Sequence, residues 1–179
     1  MGQSVPCARE RGRPTRSRAD GLVRRESPPL GHGRERGEQN QAIGRSRGGR
    51  STKIHALTDR QCRPIAFLLT GGQVADCAAA KALLEHLPPT TRVLHGDKGY
   101  DTNPIRQRVE ANGTLPNIPP KANRIWKSCF SPVLYRARNA IERMFCRLKD
   151  FRRVATRYDK LARNYQSAVA LAAAVAFWL

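Results

Sequence analysis

An α/β fold, a mixed sheet with helices packed on it, is predicted for this chain by three observations. Residues 52–72 hold two strand-like runs around a polar turn, 76–117 alternates helix-like and strand-like segments, and 132–179 is dominated by helical spacing. A hairpin followed by alternating strands and helices argues for one sheet carrying helices. "TKIHALTD" alternates as a strand does, "RQCR" is a turn entered at Asp59, and "PIAFLLTGG" is a second strand. "DCAAAKALLEHL" (76–87) reads as a helix capped by Asp76, with Ala79, Leu83, Leu84 and Leu87 as its apolar stripe and Pro88 and Pro89 after it. "TRVLHGD" is a strand. "TNPIRQRVEANG" is a helix with Thr102 or Asn103 as N-cap and Gly113 just past its end. "LPNIPPK" is an extended piece that its prolines confine to an edge or a loop. The region 132–179 is predicted as two helices with a break near Asn164.

Length and charge narrow the function. A chain of 179 residues is long enough for one domain with its own core. Lys and Arg number 33 against 14 acids, a formal charge of +19, which points to a polyanionic partner. Nucleic acid is the first candidate and an anionic membrane surface the second. No signal peptide is visible, and the apolar C-terminal run "AVALAAAVAFWL" is shorter than the roughly 20 residues of a membrane span. A buried helix end is predicted there, with no membrane association. Five cysteines (7, 62, 77, 129, 146) without a CxxC pair argue against zinc and for reduced thiols in the cytoplasm. Residues 1–40, rich in Arg, Gly, Pro and Ser, read as a disordered or irregular basic segment, and 41–179 as the folded domain.

The chemistry concentrates in two places. "HGDKGYD" (95–101) follows the run "TRVL", and sites in α/β sheets gather at the carboxyl ends of strands. That makes Asp97 a candidate catalytic residue, while Asp101 is expected to cap the next helix. In "LYRARNAIERMFCRLKDFRRVATRY", Leu134, Ala137, Ile141, Met144, Phe145, Leu148 and Phe151 share a broad apolar face. Tyr135, Arg138, Glu142 and Lys149 form a stripe beside it, within roughly 60° of one another at helical rotation. Glu142 is thus both an i,i+4 partner of Arg138 and a second carboxylate at the rim of the sheet. Two carboxylates suit Mg²⁺, which takes few oxygen ligands from protein, and metal pairs drive phosphodiester chemistry. "GRSRGGRS" (44–51) lacks Walker spacing and is expected to contact DNA through Arg45 and Arg47. His95 is expected at the core edge, His55 inside a strand, and His32 and His86 at the surface. Trp126 and Trp178 are expected to pack, and Asp159 to be a surface charge.

"GDKGYD" followed by Tyr135-x2-Arg138-x3-Glu142-x6-Lys149 resembles the signature of bacterial insertion-sequence transposases of the DDE type. "AIGRSRGGRSTKIHALTD" (42–59) and "FRRVATRYDKLARNY" (151–165) are similar to that family too, and the resemblance runs from about Glu38 to Leu179. It implies an RNase H-like fold, Mg²⁺ or Mn²⁺ as cofactor, and cutting and joining of double-stranded DNA at terminal inverted repeats and target, by a homodimer at the nucleoid. Asp97 and Glu142 match two catalytic, metal-holding acids of the family; Tyr135, Arg138 and Lys149 match its DNA-contacting positions. The family carries its first catalytic Asp on the first core strand. Here the candidate is Asp20, 24 positions before Gly44 in an Arg-rich setting. The sheet is therefore expected to be incomplete at its first strand, residues 1 to about 37 to come from another reading frame, and this chain alone to be inactive. Two other readings stay open: a non-catalytic DNA-binding remnant, and an RNase H-like nuclease with other substrates.

Overall fold

The computed structural model describes residues 19–27, 41–46 and 49–179. Its strands are β1 (Ala19–Ser27), β2 (Gly44–Ser46), β3 (Gly49–Thr58), β4 (Pro64–Gly71), β5 (Val93–Gly96) and β6 (Leu115–Asn117). Its helices are α1 (Asp76–Leu84), α2 (Asn103–Ala111), α3 (Pro132–Tyr135), α4 (Asn139–Lys149), α5 (Arg152–Ala155) and α6 (Ala162–Trp178). The main sheet runs β4-β3-β1-β5-β6, and β2 pairs with the first residues of β3. β3 is antiparallel to both β1 and β4, whereas β5 is parallel to β1 and to β6. Counted by their order in the chain, the five main strands stand 3-2-1-4-5, which is the RNase H-like sheet that the resemblance implied.

Helices cover both faces. Ile54 and Ala56 of β3 pack with Ile141, Met144, Phe145 and Leu148 of α4 and with Tyr165, Val169, Ala172 and Ala173 of α6. On the other face Leu57 and Leu94 pack with Ala80, Leu83 and Leu84 of α1 and Ile105 and Val109 of α2. Because β3 has a strand on each side and a helical layer on each face, Ser51–Asp59 is buried without a break. Buried polar groups in it need partners. Lys53 finds the carbonyl of Val74 at 2.7 Å and the Asp76 carboxylate at 3.2 Å, which ties β3 to the start of α1.

Several expectations are corrected. The first core strand is present: β1 lies between β3 and β5 and pairs with both, so neither a missing strand nor a wholly irregular 1–40 holds. Its composition looks unlike a strand, but backbone groups shared with two neighbours satisfy a central strand whatever its side chains. Residues 1–18 and 28–40, with His32, lie outside the described residues. The N-cap of α1 is Ala75 rather than Asp76, and Asp76, at the first helical position, forms an ion pair with Lys53. The break in the last helical region falls at Thr156–Leu161, while Asn164 sits inside α6. There the carbonyls of Asp159 and Lys160 bond the Arg157 guanidinium and so cannot carry a helix onward. The C-terminal run buries one face only, leaving Leu171, Val175 and Trp178 exposed. Leu134 and Ala137 drop off the apolar face because their turn precedes the part of α4 that meets the sheet. Asp159 is only 13 % exposed and pairs with Arg153 at 3.2 Å, more enclosed than a surface charge. Trp126 is 86 % exposed, on a loop with no facing layer to pack against. His55, buried, and Asp59, whose carboxylate accepts from the Gln61 and Arg63 N–H groups at 2.9 Å, stand as expected.

Candidate active site

β5 ends at Gly96 and delivers Asp97 to a 3-10 turn, Lys98–Tyr100. The rest of the motif holds that turn in place. Tyr100 is fully buried, and its hydroxyl lies 2.9 Å from Nδ1 of His55, whose Nε2 lies 2.8 Å from the Thr70 hydroxyl. Gly99 lets the turn approach α1 closely: a Cβ there would stand 2.6 Å from the Asp76 carboxylate and would have to push that side chain aside. Asp101 is not a helix cap. Its side chain is wholly buried and accepts from Arg106 Nε at 2.8 Å, Arg124 Nε at 2.7 Å and the Lys121 N–H at 2.8 Å. Thr102 is the N-cap residue of α2. Burial by itself would raise the Asp101 pKa; the Lys121 N–H and the two guanidiniums outweigh it and hold the carboxyl below its ordinary 3.8.

The second half of the site comes from α3, the turn Arg136–Arg138 and α4. Ser131 caps α3 by accepting from the Leu134 N–H at 3.4 Å, and Pro132 follows at its first position. Asn117 of β6 grips Ser131 at both backbone groups, N–H to Oδ1 at 2.9 Å and Nδ2 to carbonyl at 3.1 Å, and also meets Nδ1 of His95 at 3.1 Å. Burial lowers the pKa of His95, so its ring is neutral at neutral pH. Neither Asn117 nor Ser131 stood out in the sequence. Their link spans 14 residues and carries no local periodicity.

This scaffold joins four of the sequence-predicted residues. Arg138 Nε donates to Asp97 Oδ1 at 2.6 Å, and its Nη2 donates to Glu142 Oε1 at 3.1 Å. The Tyr135 hydroxyl donates to the same Asp97 oxygen at 3.3 Å. Burial first, then the Asp97 charge, pushes the Tyr135 hydroxyl up to about 12, so it remains a donor. Burial alone would lower the Arg138 pKa; the Asp97 hydrogen bond and charge reverse that, and the net shift is upward. Two carboxylates 45 positions apart in the chain therefore converge on one cation, and each keeps more than a quarter of its side chain exposed. Lys149 is exposed at the far end of α4, about two turns from Glu142.

Hard oxygen donors that already share a cationic group fit a divalent ion. Among the described residues no set of three acidic, His or Cys side chains gathers as a metal cluster. The backbone of Asp20 pairs with Leu94, three positions before Asp97 on the neighbouring strand, an offset of about 10 Å along the sheet. Asp20 is thus on the central strand but not level with the Asp97–Glu142 pair. Arg45 is exposed on β2, and Arg47 lies outside the described residues.

The family described as the transposase DDE domain matches residues 22–177. A Brucella ovis protein assigned as the transposase of insertion sequence element IS6501 is 32 % identical over 130 residues, 72 % of this chain and 98 % of that protein. A Burkholderia cepacia protein assigned as the transposase of element IS402 is 27 % identical over 137 residues, 71 % of this chain. The match spans 63 % of that relative's length. Among solved structures, the catalytic core domain of BIV integrase aligns over 87 % of this chain and 80 % of its own, at 13 % identity and a TM-score of 0.46. The family match begins at residue 22, ahead of Glu38, where the resemblance was expected to start. No described helix is long and apolar enough to cross a membrane. With the motif's acids brought together on the expected sheet and nearly the whole described chain matched, this chain belongs to the DDE transposase family.

Proposed function

We propose that this domain cuts and joins DNA at the ends of an insertion sequence, with Asp97 and Glu142 as the protein ligands of Mg²⁺ or Mn²⁺. The observation that carries the reading is the convergence of both carboxylates on the Arg138 guanidinium. A divalent ion held by these two carboxylates would supply activation of the attacking hydroxyl or water and stabilisation of the leaving oxygen. The chain's own residues do the rest. Tyr135 orients Asp97 through its hydroxyl. Arg138, which contacts both carboxylates, would meet a phosphate brought up to them. Lys149 and Arg45 contribute phosphate contacts on either side, and the terminal inverted repeats and target are the duplex partners. A homodimer would bring two ends together.

The decisive experiment is cleavage of a duplex carrying the element's terminal repeat, with Mg²⁺ or Mn²⁺ and with chelator. Metal-dependent nicking at the repeat, absent on scrambled ends, supports transposition; nicking without end preference supports a general nuclease instead. The register of Asp20, three positions short of Asp97, favours a second reading in which the chain binds DNA without cutting it. Duplex binding with no nicking in either metal supports that one.

A further inference from the structure

Arg157 is 2 % exposed, yet among the described residues no carboxylate side chain pairs with it in the way Asp101 pairs with Arg106. A guanidinium has five N–H donors. Here Nε donates to the Asp159 carbonyl at 2.9 Å, and Nη2 to the carbonyls of Gln41 at 2.9 Å and Lys160 at 3.1 Å. Nη1 donates to the Ala42 carbonyl at 3.4 Å and to the Thr52 hydroxyl. The guanidinium carbon lies 5.0 Å from the Tyr165 ring centre. Its contacts join two stretches of chain more than 100 positions apart: the α5–α6 connection, and the Gln41–Ala42 elbow that leads into β2.

That elbow is fixed from several sides. Ala42 has φ +50°, an uncommon conformation for a residue with a Cβ, which persists only where surroundings over-determine it. The Thr52 hydroxyl donates to its carbonyl at 2.7 Å. The Gln41 side chain accepts from the Ala162 N–H at 3.2 Å, serving the first turn of α6, whose N-cap Leu161 offers no side-chain acceptor. Past the elbow, β2 pairs with the start of β3 so that Arg45 stands opposite Arg50. Thr52 is level with Ser27, whereas Gly96 is level with Leu22. The hairpin therefore projects beyond the carboxyl ends of β1 and β5, the end that carries Asp97, starting about 13 Å past it. That is a span of about four base pairs.

We propose that Arg157 seats a phosphate-gripping arm: by holding the Gln41–Ala42 elbow it sets the β2–β3 hairpin, with Arg45 and Arg50, against the duplex that extends away from Asp97. Arg157 is a positioning residue, since its buried guanidinium cannot itself reach DNA. The inference rests on the DNA-binding reading above. Lysine, with three donors on one atom, cannot replace the fork.

The test measures duplex affinity of the full chain by fluorescence anisotropy between about 50 and 200 mM salt. Proteins compared are wild type, R45A/R50A, R157K, Thr52→Val, and R157K combined with R45A/R50A, each checked for fold by circular dichroism and melting. Thr52→Val removes the hydroxyl between Arg157 and the Ala42 carbonyl, and keeps the test alive if R157K fails to fold. Expected is a salt slope shallower by about two, one per arm cation, in R45A/R50A, with a comparable loss in R157K or Thr52→Val. The combined variant should be no weaker than R45A/R50A. A folded R157K or Thr52→Val with the wild-type slope, or losses that add in the combined variant, overturns the arm while leaving the DNA reading intact. A flat wild-type affinity overturns both.

Discussion

Replacing Asp101 by Asn separates two accounts of the same carboxylate. If Asp101 served as a helix cap, its loss would cost about 1 kcal/mol. In the structure it pairs with Arg106 and Arg124 and accepts from the Lys121 N–H, with none of its side chain exposed. Asn keeps the shape but presents an NH₂ group to at least one of those donors, and Arg106, whose side chain is 6 % exposed, keeps its charge without a counter-ion. Breaking a buried pair in this way costs about 3–5 kcal/mol. At about 2–4 °C per kcal/mol for a chain of this size, the melting temperature should fall by roughly 6–20 °C. Urea unfolding followed by circular dichroism at neutral pH measures the loss directly, with the denaturant slope unchanged if only stability moves. A pH arm supplies the sign. Because the folded state holds the Asp101 pKa below its ordinary 3.8, its stabilisation is complete above that value and is lost as pH falls through the depressed folded pKa. The difference between wild type and variant should therefore narrow in acid. A loss near 1 kcal/mol at neutral pH, unchanged at low pH, would refute the clamp and restore the cap.

Asp97→Asn and Glu142→Gln, at partly exposed positions, should each abolish metal-dependent nicking while leaving the melting temperature within a few degrees of wild type; retained nicking in either variant would sink the site assignment. Between Lys121 and Arg163 stand thirteen Lys or Arg against three acids, so duplex affinity should fall steeply with salt, and a flat titration by anisotropy would argue against DNA as the partner. Burial lowers the His95 pKa from 6.5, so its neutral form is the folded one. Stability to urea should be full above pH 6.5 and decline as pH falls below it, less so in His95→Gln; equal slopes in the two proteins would contradict the buried ring.

Local pattern determined a good deal of this protein. Period-2 alternation placed β3, an apolar run after a polar turn placed β4, the 3.6 spacing of Ile141, Met144, Phe145 and Leu148 placed α4 against the sheet, and the same spacing put Tyr135, Arg138 and Glu142 on one rim. Those signals are readable because each depends on residues within two helical turns or one strand of each other. Only the tertiary structure decided the rest. β1 earns its place from backbone pairing with β3 and β5, which its Arg-rich composition does not announce. Asp76 and Asp101 occupy positions that look like caps, yet they serve buried cations at Lys53, Arg106 and Arg124, two of which come from distant segments. Arg157 reads as one more basic residue among 33, and its burial follows in part from carbonyls supplied by Gln41 and Ala42, more than 100 positions away in the chain. A charge in sequence carries no record of its solvation. Whether it faces water, a phosphate or a ring of carbonyls is settled only when segments that share no local period are packed together.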